Sequence, residues 1–549
     1  YVGGPRNYKW IDTNPLPKVW DQLSLAAAYG ADRVWIVNVG HFKGYERPME
    51  FFLRMAWAPS RWGPDGAEEF TRLWAEREFG PENATEAARL AGLLAKLNGR
   101  RKPEMLEPGT YSLVNYREAD RVVAEYASLA AEARSLQARL DPARRDAFYE
   151  MVAFPAKATS IVNALYVAAA KNALYARQGR AGAGAMAREV RRLFQEDRDL
   201  MRFYNTSFAG GRWAHFMDQP HIGYSGWNDP PADNLGQLRL VEPLAPRGAR
   251  LGVAVEGSDE VWPGAKAPPA LRRFDSINRQ EQYFEVFDRG DEPFDYTIQS
   301  SRPWIVVGET GGTAGPADRR HLARIDWAAA PAGDSRGSIL IAGARESVEV
   351  GIEILKPPDL SRETLRGFVE NQGAVSIEPE HFSARADQPH SRWIRIADYG
   401  RTLSGMRADG PADEPPAEPG VNAACLEYRF LLFEAAPVSV MAVTGPTLNF
   451  APGRPLRYAI AIDDEAPRLV TAVPADFSVM THGREWEGTA ADNARLVRTE
   501  HPAIATGSHI LKVWAIDPGV VLQKLIIDAG GLKPSYLGSP ESLILPEAR

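Results

Sequence analysis

The side chains best suited to hold a ligand lie in two short stretches near the start of the chain. Tyr1-Val2-Gly3-Gly4-Pro5-Arg6-Asn7-Tyr8-Lys9-Trp10 places Arg, Asn, Tyr and Lys on a Gly-Gly-Pro turn, and Asn38, His41 and Lys43 follow within a few residues of one another. Glycines let a backbone take positive φ and let a ligand approach closely, and polar groups on such a turn are typical of a binding loop. Arg6, Lys9, Asn38, His41 and Lys43 are cations and hydrogen-bonding groups, suited to an anionic or polyhydroxylated ligand. The carboxylates nearby are Asp12, Asp32, Glu46 and Glu50. Glycoside hydrolysis needs two carboxyl groups about 5 to 10 Å apart across the scissile bond. No convincing pair stands out: Glu46 and Glu50 are one helical turn apart, as on a solvated helix face. No nucleophile elbow, phosphate loop or dinucleotide fingerprint occurs in a fitting context. The nine histidines include no zinc-binding pair, and His215 and His221 are six apart in a Pro-containing stretch.

A second dense segment runs from Arg212-Trp213-Ala214-His215-Phe216 through Met217-Asp218-Gln219-Pro220-His221-Ile222-Gly223-Tyr224 to Trp227. A packed connection between domains explains it, and so does a wall of a sugar site with Trp213 or Trp227 stacking on a pyranose face.

Elements must position these groups. Pro15 to Gly30 reads as a helix, with Pro17 in its first turn and Gly30 at its end. Arg33-Val34-Trp35-Ile36-Val37-Asn38-Val39-Gly40 is almost continuously apolar, as a parallel strand buried on both faces requires. Strand, helix and strand predict the last β/α units of a (β/α)8 barrel over residues 1–62, with Tyr1 to Tyr8 and Asn38 to Lys43 at the catalytic face. Residues 63–235 predict a five-helix bundle. One of its helices begins with a capping-box-like Asn83 and Glu86, and another begins at Asp141-Pro142 with a kink at Pro155. After Pro230-Pro231 the period turns β, giving an Ig-like sandwich over 236–358 and a second, carbohydrate-binding-like sandwich over 359–549. The fold class expected is multidomain α+β.

A chain of 549 residues exceeds one core, and its net charge of −7, without a dense basic tract, argues against a general nucleic-acid binder. No apolar run approaches the ~20 residues of a membrane span. The single Cys425 excludes an internal disulfide framework. The compartment stays open, with a secreted or periplasmic location favoured over a cytoplasmic one.

Several of these stretches resemble glycoside hydrolase family 115, the xylan α-1,2-glucuronidases. They are the opening ten residues, Gly30 to Gly40, Glu50-Phe51-Phe52-Leu53, Met217 to Tyr224, Glu380-His381-Phe382, Gly400-Arg401-Thr402-Leu403-Ser404-Gly405-Met406, Pro446-Thr447-Leu448-Asn449-Phe450 and Asp517 to Lys524. The resemblance implies removal of (4-O-methyl-)glucuronic acid from glucuronoxylan with inversion and without a metal, by a homodimer; no cofactor and no nucleic-acid or membrane partner is expected. It implies that Tyr1 and Asn38 line the uronate pocket, with Arg6 a weaker candidate, and that the catalytic acid and base come from strands earlier than residue 1. The family continues Asn-Val-Gly with Asp-Leu-Lys-Pro; here the chain reads His41-Phe42-Lys43-Gly44, which alters the rim chemistry. Substrate binding is thus expected of Tyr1, Arg6, Asn38, His41 and Lys43. The rival reading is a non-catalytic glycan-binding or dimerisation protein; a third is another uronate-processing enzyme on the same scaffold.

Overall fold

The computed structural model describes residues 10–226, 228–411, 414–451 and 453–546. Tyr1, Arg6 and Trp227 lie outside them. Helices come first and sheets follow, so the chain is a multidomain α+β protein.

Helix α1 (Leu16–Ala28) buries Leu16, Trp20, Asp21 and Leu25. The chain leaves it through Gly30 at φ +90°, a backbone angle that side-chain-bearing residues avoid. Helix α2 (Glu46–Trp57) buries Phe51, Phe52 and Met55, and its Arg47 meets Asp12 at 2.7 Å, both buried. Between these helices the expected strand is absent. Residues 33–40 are not in a sheet, and Val34 and Ile36 are 76% and 83% exposed. A strand needs neighbours to take up its N–H and C=O groups. No backbone ladder forms along Val34 to Val39 among the described residues. The apolar run is correct as a sequence signal; the sheet that would bury it is not present there.

Five helical runs follow: α3 (Gly66–Phe79), α4 (Ala84–Arg100), α5 (Glu118–Arg139), the run formed by α6 (Pro142–Phe148) and α7 (Phe154–Gln178), and α8 (Ala183–Thr206). Asp141 caps α6 as its sequence suggested, accepting from Ala143 N–H at 2.8 Å. Asn83 does not cap α4; its amide donates back to Phe79 O instead, and Glu86 pairs with Arg139. The proline at 155 acts on the turn before it. Tyr149–Ala153 form a π-turn, closed by Phe154 N–H on Tyr149 O. Pro155 has no N–H to continue the α-helical ladder, and the widened turn absorbs the break. The run 142–178 is long and apolar enough to span a bilayer, yet 78% of its most apolar window is buried inside the protein.

Residues 251–356 form a four-stranded and a five-stranded sheet whose apolar faces meet in one core, with Leu251 and Phe284 against Tyr296 and Ile339. Residues 367–545 form a seven-stranded and a six-stranded sheet around a second core, with the fully buried Trp393 in it.

Buried charges join the parts. Asp21 of α1 is wholly buried and meets Arg407 at 3.2 Å and the Tyr399 hydroxyl at 3.2 Å, both from the six-stranded sheet region. Arg407 also stacks over Trp20 and donates to Ser24 Oγ. Arg180, at the end of α7, bridges Glu285 at 2.8 Å and Asp318 at 2.6 Å in the first sheet pair. Glu118 of α5, also buried, accepts from the backbone N–H groups of Ser112, Tyr536 and Leu537. Breaking a buried pair strands a charge and costs about 3–5 kcal/mol. Arg407→Ala is therefore expected to lower stability by about that amount in thermal or denaturant unfolding. Replacing Asp21 and Arg407 together by leucine should recover most of the loss, and equal losses in both variants would refute the assignment.

Candidate glycan site at the His41–Lys43 loop

The loop after Gly40 turns sharply at Gly44, whose φ is +82° and where a Cβ would sit 2.8 Å from Trp10 O. That turn lays His41 and Lys43 against the bundle. Lys43 Nζ lies 3.0 Å from Glu46 Oε1 and 3.7 Å from Glu150 Oε2, and 5.3 Å from the centre of the Trp213 ring. His41 packs on Phe216, ring centres 4.8 Å apart. The structure thus brings His41, Lys43 and Trp213 together, and adds two carboxylates.

Glu150 comes from the π-turn, which points a polar residue into an apolar wall. Burial pushes its carboxyl up to about 7, with repulsion from Glu46 adding to the shift and Lys43 opposing it. One oxygen each of Glu46 and Glu150, and the Tyr204 hydroxyl, are buried without a hydrogen-bond partner among the described residues. Glu150, with its raised proton affinity, is the group of this cluster placed to hold a proton near neutrality. Glu50 is different: Arg77 grips both its oxygens at 2.8 and 2.6 Å, Arg54 adds a third contact, and these bonds hold its carboxyl below the usual range. It is a surface ion pair.

Asn38 faces elsewhere. It lines a cavity of about 680 Å³ with Lys18, Gln22, Lys102, Thr447 and Trp486, which neither His41, Lys43 nor Trp213 lines. Burial lowers the Lys18 ammonium to about 7; its contacts are Asn493 O at 3.2 Å and the face of Tyr399 at 4.2 Å. The segment Met217 to Tyr224 is packed rather than open. His221 is buried, bonded to Asp197 at 2.9 Å and stacked on Trp10 at 4.2 Å. Beside that segment, Trp213 and Phe216, both half-buried, face the loop. Sequence reading missed Glu150 and Tyr204. The available signal was an acid inside the apolar Phe148-Tyr149-Glu150-Met151-Val152 run, just before a mid-helix proline.

Residues 1–105 match the model of glycosyl hydrolase family 115, and residues 367–541 match the model of the family 115 C-terminal domain. The two cover just over half of the chain, at both ends and in the family's order. The chain belongs to glycoside hydrolase family 115. Among solved structures, a family 115 4-O-methyl-α-glucuronidase with specificity for decorated arabinogalactans aligns at 16% identity and a TM-score of 0.53, over 96% of this chain and 50% of that one. At that identity the likeness speaks for the fold, and the chain spans about half the length of that relative. A family 35 carbohydrate-binding module from Clostridium thermocellum aligns over 28% of this chain and 98% of its own at 11% identity and a TM-score of 0.20. The C-terminal family 6 module of a laminarinase from Zobellia galactanivorans aligns over 28% and 98% at 10% identity and 0.19. No curated protein sequence matches significantly.

The shift at Glu150 has a stability consequence. Its carboxyl titrates near 4.5 when free and near 7 in the fold, so the folded state binds more protons between these values. Stability contributed at this position is therefore lost as pH rises through that window. Glu150→Gln removes the penalty. At pH 8 the variant is expected to be more stable than wild type by up to about 3 kcal/mol, and at pH 4 to match it, in paired unfolding curves. A gain that is the same at both pH values would rule out the charge explanation.

Proposed function

We propose that this family 115 chain carries part of the glycan site of an inverting α-glucuronidase, which removes (4-O-methyl-)glucuronic acid side chains from glucuronoxylan. The observation that carries the reading is the Lys43 ammonium held beside Trp213 and His41 on the loop that follows Asn38. An ammonium can meet a uronate carboxylate, an indole face can stack on a sugar ring, and amide and imidazole groups can bond its hydroxyls. Tyr1 and Arg6 belong to the same reading through their motif.

Further parts of this reading rest on the resemblance. Residues 1–62 would be the closing units of a (β/α)8 barrel, and the largely apolar, mostly exposed run Val34 to Val39 would be one of its strands. Bundle residues 63–235 and sandwiches 236–358 and 359–549 would complete the subunit, which would act as a homodimer. In an inverting enzyme one carboxylic acid protonates the leaving oxygen while a carboxylate activates water on the opposite face of the ring. In this proposal that pair lies outside residues 1–549. The similar solved structure is described as specific for decorated arabinogalactans, so that polymer is the rival substrate.

The 549-residue chain alone is expected to release no glucuronic acid from glucuronoxylan or decorated arabinogalactan, while a version extended upstream does. Turnover by the chain itself would put the acid and base inside it, with Glu46 and Glu150 as the first pair to replace. In the extended version, Tyr1→Phe and Asn38→Ala should each lower kcat/KM by at least about tenfold, the loss of a buried hydrogen bond. Unchanged rates in both would remove these residues from the pocket.

A further inference from the structure

The first sheet pair carries a feature that the loop site does not use. An open groove of about 810 Å³ runs across its five-stranded sheet, lined by Arg273, Arg302, Trp304, Asp334, Arg336 and Glu353. Two of the three arginines are occupied. Arg336 and Glu353 face each other across paired strands and meet at 2.8 Å, and Arg273 is held by Glu434. The third, Arg302, has no ion pair or side-chain hydrogen bond among the described residues, although Asp334 and Glu353 line the same groove.

Arg302 is nonetheless positioned. Its loop is bolted to the neighbouring strand by Ser301 N–H on Ser338 O at 2.9 Å and by Ser338 N–H on Ser301 Oγ at 2.7 Å. Its aliphatic stem lies over Gly337, where a Cβ would come within 2.9 Å of Arg302 Cγ and 2.6 Å of Ile305 Cδ1. Any other residue at 337 would displace the arginine. Trp304, 5% exposed, packs into the core beneath. Arg302 is exposed, its stem is seated on Gly337, and among the described residues its guanidinium has no anion, so it is open to receive one.

We propose that this groove is a non-catalytic binding site for a carboxylate-bearing polysaccharide, with Arg302 taking a uronate carboxylate through its two-pronged face and Asp334 and Glu353 accepting sugar hydroxyls. The inference rests on the acidic-glycan reading above and adds a second contact on the same polymer. The acids in the groove select against a phosphate chain, which needs many cations in a row. The net charge of −7 makes a local cation necessary for holding any polyanion.

The test is native affinity electrophoresis of the 549-residue chain in gels containing 4-O-methylglucuronoxylan, polygalacturonate or unsubstituted linear xylan. Wild type should be retarded by the two acidic polymers and not by linear xylan, with retardation falling as salt rises. Arg302→Ala should weaken that binding by about tenfold, Arg302→Lys should retain only part of it, and the distant exposed Arg202→Ala should leave it intact. Equal binding by wild type and Arg302→Ala, equal retardation by linear xylan, or no retardation in any gel would each overturn the proposal. Loss with Asn38→Ala but not with Arg302→Ala would sink the groove and spare the glucuronidase reading. Loss of both acidic polymers with Arg302→Ala, alongside an extended enzyme that cleaves no uronate, would keep the groove and remove that reading.

Discussion

Asp21 is the residue on which the arrangement of this chain turns. It is a carboxylate on an otherwise apolar helix face, fully buried, and its burial raises its proton affinity against the pull of Arg407. A charge in that position is tolerable only because Arg407 and Tyr399 reach it from the far sheet. The contact therefore specifies which face of α1 meets which strand, more than it adds net stability. Arg180 and Glu118 repeat the device at the other junctions. Packing confirms the result: one apolar core runs from α1 through the helices to Ile396, Tyr399, Val521 and Leu537 of the C-terminal sheets.

That registry has a functional reach. With α1 and α2 fixed on the bundle, the His41–Lys43 end of the loop between them meets the π-turn and the segment after α8, while its Asn38 end meets the C-terminal region. The break forced by Pro155 is what turns Glu150 toward Lys43. A straight helix would place a different side chain there. The ammonium then mediates between two carboxylates that repel each other; burial is what chiefly raises Glu150, with the repulsion adding to it and the ammonium opposing it.

The helices were legible because their signals are local. The five helical stripes, the Asp141 cap and the Gly30 stop are each decided within a turn or two of chain. The strands of the two later regions were legible for the same reason, with Leu456–Ile462 found where its alternating run lies. One local signal misled, and another found no partner strand among the described residues. Asn83 has a capping residue's identity, but its amide turns to Phe79 O. The run from Val34 to Val39 has a buried strand's composition, but pairing is a property of neighbours and not of the run itself.

By itself the sequence determined the family, through long motifs in order at both ends, and the chemical character of the loop from Asn38 to Lys43. The tertiary structure alone decided which of those groups stand together. Lys43 and His41 go with Trp213, while Asn38 faces a separate cavity with Lys18. Only the fold could join Glu150 to Lys43 and Glu46, or leave Arg302 without a partner among the described residues above Gly337. The physical reason is range: caps, turns and periodicity act over a few residues, whereas burial and charge pairing depend on groups that the chain brings together from far apart.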